Sequence, residues 1–454
     1  MRRHTLRSAA GIRAIVRSGL CHGCGACAGI CPAGTLQIGG EGFPRQVSRC
    51  LECNRCVEIC SGVGVDFQRL GEYVFGEGYT YGDFLGKVLE ARVGHATDLR
   101  VRLAGASGGV VSALLVHLLK TKEVDAVVVS RPSPANLFLS TGLVARTPEE
   151  IITAAGSHYS RSSTMTVLAD LKDRGERIAL VGLPCHIHAL RTAQSNSPPE
   201  WRNVVFVVGL FCHFTLPPGA VADLAHIAGG RRRQPVRICY RDKESMGWPF
   251  DGPRVFYADG SSWTSAYLPS EVMSILGHLY PLGRCLLCVD ATAEFADLSV
   301  GDPWIRKDDG GWKYTQPEGN SVILIRTDTG RQILHRAESA GAITSTTVEP
   351  SEVLRGQYPM FFEKKVCIPL RIRFRSWWRL PVPDYGTAVM PGGPRRLFRE
   401  VAYLSATALF RYTPLKRLVL RFMLTRWGAR LVSWRRRQKE LRAARRRESR
   451  SASG

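Results

Sequence analysis

Eight of the fourteen cysteines fall within the first sixty residues, in two copies of one spacing. Cys21, Cys24, Cys27 and Cys31 read C-x-x-C-x-x-C-x-x-x-C before Pro32, and Cys50, Cys53, Cys56 and Cys60 repeat the run before Ser61. This is a bacterial spacing for two [4Fe–4S] cubes, in which the fourth thiolate of each run ligates the other cube. The first cube is therefore assigned to Cys21, Cys24, Cys27 and Cys60, and the second to Cys50, Cys53, Cys56 and Cys31. Gly23, Gly25 and Gly29 are expected to let the backbone curl closely around the first cube. A disulfide framework would suit a small secreted domain, and structural zinc needs only four ligands with looser spacing.

Further thiols lie in the middle of the chain. Cys185 follows the apolar run 177–181 and Cys212 follows 204–211, which in an open parallel sheet puts both at the carboxyl edge where ligands bind. With the C-x-x-C of Cys285 and Cys288 they make either a third four-thiolate site or a set of buried inert thiols. Pro184 is placed to open a helix carrying His186 and His188, whose positive end favours a thiolate at Cys185. Cys239 and Cys367 read as packing residues. Ser107, Gly108 and Gly109 precede an apolar helix and suit either a phosphate at its N-terminus or a simple helix cap. His186, His213, Asp290 and Asp302 are candidate proton donors, with a structural hydrogen bond as the plainer role for each. Arg241 and Lys243 suit an acidic substrate or cofactor phosphate, or a solvated loop.

These residues need a scaffold, and the pattern implies three parts and a connection. Residues 1–70 form an α+β ferredoxin-like unit, opened by a short helix that packs Ile12, Ile15 and Val16. The Arg-rich first twenty residues have no apolar h-region and read as the start of this unit. Residues 71–95, rich in Gly and Tyr, read as a linker. Residues 96–385 alternate apolar strands (124–129, 177–181, 204–211, 298–300 and 322–325) with helices (110–119, 149–155 and 186–193), which predicts an α/β domain on a mainly parallel sheet. Residues 386–454 are a basic helical tail, carrying 18 Lys+Arg against 3 Glu from Arg395 onward and most of the formal charge of +23.

Leu415, Leu418, Val419, Phe422 and Met423 recur at helical spacing in that tail, extended by Trp427, Leu431 and Trp434 and interleaved with Lys416, Arg417, Arg421, Arg426 and Arg430. Arg435–Arg437 and Arg445–Arg447 follow. Such a segment lies on an anionic membrane surface, docks on a partner, or stays solvated. A nucleic-acid arm would lack any reading module. The longest uncharged stretch there, 401–410, is half the about twenty residues needed to span a membrane. Reduced thiols and clusters point to the cytoplasm, with the tail suggesting the inner face of the membrane.

Taken in order, several motifs resemble the coenzyme F420 hydrogenase/dehydrogenase beta-subunit family over roughly residues 15–385. They are the two cysteine runs, Ala106-Ser107-Gly108-Gly109, Gly156-Ser157-His158-Tyr159, Val181-Gly182-Leu183-Pro184-Cys185-His186-Ile187, Gly209-Leu210-Phe211-Cys212, Tyr240-Arg241-Asp242-Lys243 with Gly247-Trp248, and Cys285 to Asp290 with Ala296 to Asp302. The resemblance implies an iron–sulfur flavoprotein that passes electrons among clusters, FAD and a second acceptor, which in archaeal relatives is coenzyme F420. It implies flavin contacts at Ser107, Gly108, Gly109, Ser157 and Tyr159, and a cluster beside the flavin on Cys185, Cys212, Cys285 and Cys288. His158 stands where relatives often carry Lys. The same features suit a different class of protein, an electron-transfer adaptor that feeds a redox partner. Some bacterial relatives are associated with surface-polysaccharide metabolism.

Overall fold

The computed structural model describes residues 8–434 except 173, 231, 244–246, 250, 251, 266, 268, 308–310, 387–393 and 410–412, together with residue 438. A helix, Ser8–Arg17, opens these residues and buries Ile12 and Ile15. The two cysteine runs then repeat one local geometry. Helix Ala26–Gly29 is capped by Gly25 and helix Arg55–Glu58 by Asn54, both caps in the left-handed region. Glycine takes that conformation without strain, and asparagine is among the side chains that tolerate it best. Between them Leu36–Ile38 (β1) and Pro44–Gln46 (β2) form an antiparallel hairpin. Asp66 caps helix Phe67–Phe75, accepting from the Arg69 amide at 3.0 Å.

Nine strands form the main sheet. They are Glu90–Ala96 (β3), Ala126–Ser133 (β4), Asn136–Ala145 (β5), Ser162–Ser163 (β6), Ile178–Gly182 (β7) and Val204–Leu210 (β8), then Leu298–Gly301, Ser321–Ile325 and Ile343–Val348. Pro235–Cys239 (β9), Arg254–Tyr257 (β10) and Ser262–Thr264 (β11) make a separate three-stranded sheet, so the last three strands of the main sheet are β12, β13 and β14. The main order is β14-β3-β13-β12-β8-β7-β4-β5-β6.

The expected mainly parallel sheet is a mixed one. Its centre, β12-β8-β7-β4, is parallel, as is the short β5-β6 pair. The pairings β4-β5, β12-β13, β13-β3 and β3-β14 are antiparallel. The central strands β7 and β8 are the continuous apolar runs that a doubly covered parallel strand requires. β3 and β5 bury residues in a broken pattern, which a search for such runs passes over. β3 also lies partly inside the stretch read as a linker, and helix Phe67–Phe75 runs across its other boundary.

One face of the sheet is covered by helices such as Val110–Lys120. The other shares its apolar core with the N-terminal unit, where Ile15, Leu20, Ile59 and Phe67 pack with Met165, Leu180, Leu190 and Phe295. Gly29 shows how closely the two parts meet: an added Cβ would lie 2.2 Å from the Met165 carbonyl oxygen, and one at Gly25 2.9 Å from that of Ser163. The bare backbone at these positions thus admits the α/β domain. Gly23 is similarly crowded, by the Gly42 carbonyl and Arg161.

Phe67 is fully buried, with ring centroids of Tyr81, His188, Phe295 and Tyr385 at 4.9–5.6 Å. Phe67→Ala should destabilise the protein by about 3–5 kcal/mol, the range for removing a buried aromatic ring. Thermal unfolding under anaerobic conditions checks this, and an unchanged midpoint would show that the ring is not part of a shared core.

Candidate redox site

The cysteines gather in three sets. Burial raises the Cys27 thiol well above its usual range, and Cys24, Cys21 and Cys60 add to the effect ahead of Cys56. Burial likewise pushes Cys21 up to about 12, with Cys60 its strongest thiol neighbour. Around Cys56, also pushed up to about 12 by burial, the neighbours are Cys31, Cys53, Cys60 and Cys50. Cys31, Cys50, Cys53 and Cys56 line one small cavity with Pro32, Thr35 and Leu36. Backbone amides point at sulfur in both runs, Ala26 N to Cys24 at 3.5 Å and Glu52 N to Cys50 at 3.3 Å. Cys53 is exposed, so this second set reaches the surface, while Cys21, Cys24, Cys27 and Cys60 of the first are partly buried.

Cys185, Cys212, Cys285 and Cys288 make the third set. They line one small cavity with His22, His186, His213, Arg284 and Lys364. Cys185 enters at the start of helix Pro184–Gln194, just past the carboxyl end of β7. Cys212 follows β8, and its amide donates to the Ala291 carbonyl at 2.8 Å, tying the β8 edge to the C-x-x-C segment. Burial pushes the Cys185 thiol well up, and its charged neighbours begin with Cys24 before Cys212, Cys288 and Cys285. The third set is thus next to the first. Among the described residues no group of three His, Cys, Asp or Glu side chains closes on a single ion. The thiols instead surround a space, as a multi-iron cube requires.

Ser61, where the first run has proline, links the first and third sets. Its hydroxyl donates to the Cys185 carbonyl at 2.9 Å and lies 2.9 Å from His22 Nε2. Its carbonyl accepts from the buried Arg284 guanidinium at 2.8 Å. Lys364 is the second buried cation at this pocket. Burial opposes its charge, but Cys288, Cys212 and Cys285 outweigh that and hold the ammonium above its usual range. Neither cation was singled out from the sequence. The available signal for Lys364 is a single π-helical turn, Glu363–Cys367, a feature frequent at functional sites.

The four proton-donor candidates have different surroundings. His186 Nδ1 accepts from the Leu183 amide at 3.2 Å and Nε2 faces the Ser162 carbonyl, while burial pushes the ring down to about 4. It is a neutral helix-start residue. His213 is partly exposed and lies 2.9 Å from Glu363. Asp302 accepts from Arg241 at 2.6 Å. Asp290 is fully buried, 2.8 Å from His188 Nε2, and accepts the amides of Thr292, Ala293 and Glu294. Burial opposes its charge, yet His188, Lys365 and these amides hold the carboxyl well below the usual range.

The glycine loop is tightly bound within the protein. The Gly108 amide donates to Ser321 Oγ at 2.9 Å, and Ser107 Oγ donates to the Asn320 carbonyl. Lys243 places its ammonium on the carbonyls of Arg102, Ser107 and Glu318 at 2.5–2.9 Å. Lys243 and Arg241 are therefore buried, and neither lies in a solvated loop. Gly109, at φ +74°, opens helix Val110–Lys120. Tyr159 packs on Tyr240 at 5.3 Å, with its hydroxyl 3.4 Å from Arg241. Ser157 is partly buried two residues earlier. For a dinucleotide the fit is partial: the Ser107 hydroxyl and Gly108 amide already have protein partners, and the helix terminus beyond Gly109 is the loop's remaining anion-facing feature.

Comparison with known proteins gives a consistent picture. Residues 91–169 match the N-terminal family model of the coenzyme F420 hydrogenase/dehydrogenase beta subunit, and residues 175–351 match its C-terminal model. Residues 13–61 match a 4Fe-4S dicluster domain. The coenzyme F420-dependent sulfite reductase of Methanocaldococcus jannaschii is 25% identical over 75% of this chain, which spans 50% of that relative. The coenzyme F420 hydrogenase subunit beta of Methanothermobacter thermautotrophicus is 26% identical over 66% of this chain and 99% of its own length. A chain from the F420-reducing [NiFe] hydrogenase complex of Methanosarcina barkeri shares the fold, with a TM-score of 0.51 at 20% identity over 68% of this chain and 99% of that one.

Asp290→Asn keeps the shape of the buried carboxylate and removes its charge. It should cost about 3–5 kcal/mol at pH 7, because His188 and Lys365 lose a buried partner. The native carboxyl is depressed, so its contribution is complete above the unfolded value near pH 4 and is lost as pH falls below it. Equal thermal midpoints for variant and parent at pH 7 would contradict this account.

Proposed function

The chain belongs to the coenzyme F420 hydrogenase/dehydrogenase beta-subunit family, and from that premise we propose an iron–sulfur flavoprotein oxidoreductase with three [4Fe–4S] clusters and FAD. Its second acceptor in this proposal is coenzyme F420 or another small molecule. The observation that carries the reading is the third thiol set, four cysteines from three separate segments around one pocket next to Cys24. Isolated packing thiols have no need to converge on a shared cavity lined by two buried cations.

When bound, clusters carry single electrons and a flavin converts them to a pair deliverable as hydride. The chain's own residues supply the setting. The twelve cysteines hold the iron, and the second set brings one end of the path to the surface at Cys53. Ser61 and His22 fix the spacing between the first and third sets. Lys364 and Arg284 offset thiolate charge where water is excluded. FAD is assigned to the side of the sheet bearing Ser107–Gly109, Ser157 and Tyr159, on the family resemblance and the helix terminus after Gly109. The proposed location is the cytoplasm, at the inner face of the membrane.

A second reading, an adaptor that feeds a redox partner, is favoured by the exposure of Cys53 and Leu51 at the second set. Reduction of added coenzyme F420 by the isolated, prereduced protein supports the enzyme, and its absence with intact clusters supports the adaptor.

Anaerobic purification with iron, acid-labile sulfide and flavin quantified should give about twelve iron and about one FAD per chain. About eight iron and no flavin would overturn both the third cluster and the flavin. Cys185→Ser should lower the count by about four iron and leave the N-terminal pair intact.

A further inference from the structure

The exposed apolar surface of this protein is concentrated at one end of the chain. All four exposed tryptophans, Trp377, Trp378, Trp427 and Trp434, lie beyond residue 376, each at least 57% accessible. Phe398 is 75% and Leu418 65% accessible in the same region. Monomeric proteins scatter such residues singly; a concentration of them marks an interaction surface.

The helices that carry them form one flank. Arg371 of helix Ile368–Trp377 stacks over Tyr403 of helix Pro394–Leu409 at 4.5 Å. Tyr403 in turn meets His278 of helix Pro269–Leu279 at 5.8 Å. Helix Thr413–Met423 seats Leu420 in the apolar cluster that contains Leu276 of that same helix, and Arg417 pairs with Asp223 at 2.9 Å. The tail is therefore docked through an inner face, which Val419, Leu424, Ala429 and Val432 extend. The apolar stripe read from the sequence splits: Val419 turns inward, while Leu415, Leu418 and Phe422 stay exposed at helical spacing. Trp427, Leu431 and Trp434 repeat that spacing on the following turns.

Charge identifies the occupant. Arg379, Arg399, Arg421, Arg426 and Arg430 are exposed among these residues. Over 377–434 the acids are Asp384 and Glu400, and Glu400 is paired with Arg371 at 2.6 Å. A soluble protein partner would meet exposed apolar side chains with its own side chains, yet this dense, nearly acid-free arginine coat calls for a continuous anionic surface. Trp, Phe and Leu above a layer of Arg match the acyl–headgroup boundary of an anionic bilayer. No helix among the described residues is long and apolar enough to cross a membrane, so the contact is peripheral.

We infer that the flank built from helices Ile368–Trp377, Pro394–Leu409 and Thr413–Met423 and the turns beyond them is a docking surface for anionic lipid. The inference deepens the membrane location proposed above by separating the outward from the inward side chains of the tail and by adding helices Ile368–Trp377 and Pro394–Leu409 to the surface, and it stands apart from the redox chemistry.

Cosedimentation of the full-length, cluster-loaded protein with phospholipid vesicles tests it. Vesicles of phosphatidylcholine with phosphatidylglycerol should bind the protein and shift its tryptophan emission to shorter wavelength, and phosphatidylcholine alone should bind far less. The combined variant Leu418→Ser, Phe422→Ser, Trp427→Ser and Trp434→Ser should weaken partition by ~10-fold or more. Its iron content should equal that of the parent, which separates this test from the cluster assignment. No binding to anionic vesicles at low ionic strength overturns the inference, as does binding that the variant leaves undiminished. Loss of a parental dimer in the variant without any vesicle binding would also overturn it, making the flank an interface between copies.

Discussion

Burying thiols that, on the proposed reading, act as thiolates is the constraint around which the rest of this protein is arranged. Removal from water favours the neutral thiol, and Cys24, Cys27, Cys185 and Cys212 are all held above their ordinary range for that reason. Iron binding therefore has to release protons against a desolvation cost, which couples cluster assembly to the folded arrangement. The chain eases that cost locally. Amides approach sulfur in both N-terminal runs, and Lys364 and Arg284 stand at the third pocket. An exposed pocket would not need such compensation, but it would admit water.

The same constraint accounts for the intimacy of the N-terminal unit with the sheet. The proposed electron path needs the first and third thiol sets close and fixed. A flexible tether between two separate cores would not provide that. Instead one apolar core runs from Ile15 to Phe295, and the backbone at Gly25 and Gly29 meets the 163–165 segment within a side chain's width. Ser61 completes the contact by hydrogen-bonding Cys185 directly. A proline at that position would close its own turn and could offer no hydroxyl to the partner set.

How much was legible in the sequence follows from the range of each interaction. The cysteine spacing encodes local loop geometry, so the two runs could be read residue by residue. β7 and β8 were equally plain, because a strand buried on both faces must be apolar throughout. β3 falls largely in a stretch whose richness in Gly and Tyr reads as a linker, and its pairing partners lie more than 200 residues away. The positions of Arg284 and Lys364 depend on packing between distant segments, and no local pattern distinguishes a buried cation from a solvated one. Lys243 shows the converse. Its basic side chain suggested a ligand contact, whereas the fold uses its ammonium to hold the glycine loop.

Beside the third pocket, the backbone is held by charge as well as by packing. Cys288 lies two residues before Asp290, whose carboxylate accepts three successive amides and faces His188 on the helix Pro184–Gln194 that carries Cys185. Two segments that each bring thiols to the pocket are thereby joined by one buried hydrogen bond. Glu294, pushed up to about 7 mainly by burial, pairs with Lys365, which follows Lys364 in the chain. The segments bearing Cys185, Cys288 and Lys364 are thus cross-braced within one network. A buried network of this kind gives little net stability compared with apolar packing, but it penalises every alternative arrangement heavily. On the proposed reading, that trade suits a pocket that keeps four sulfurs in fixed relation before any iron arrives.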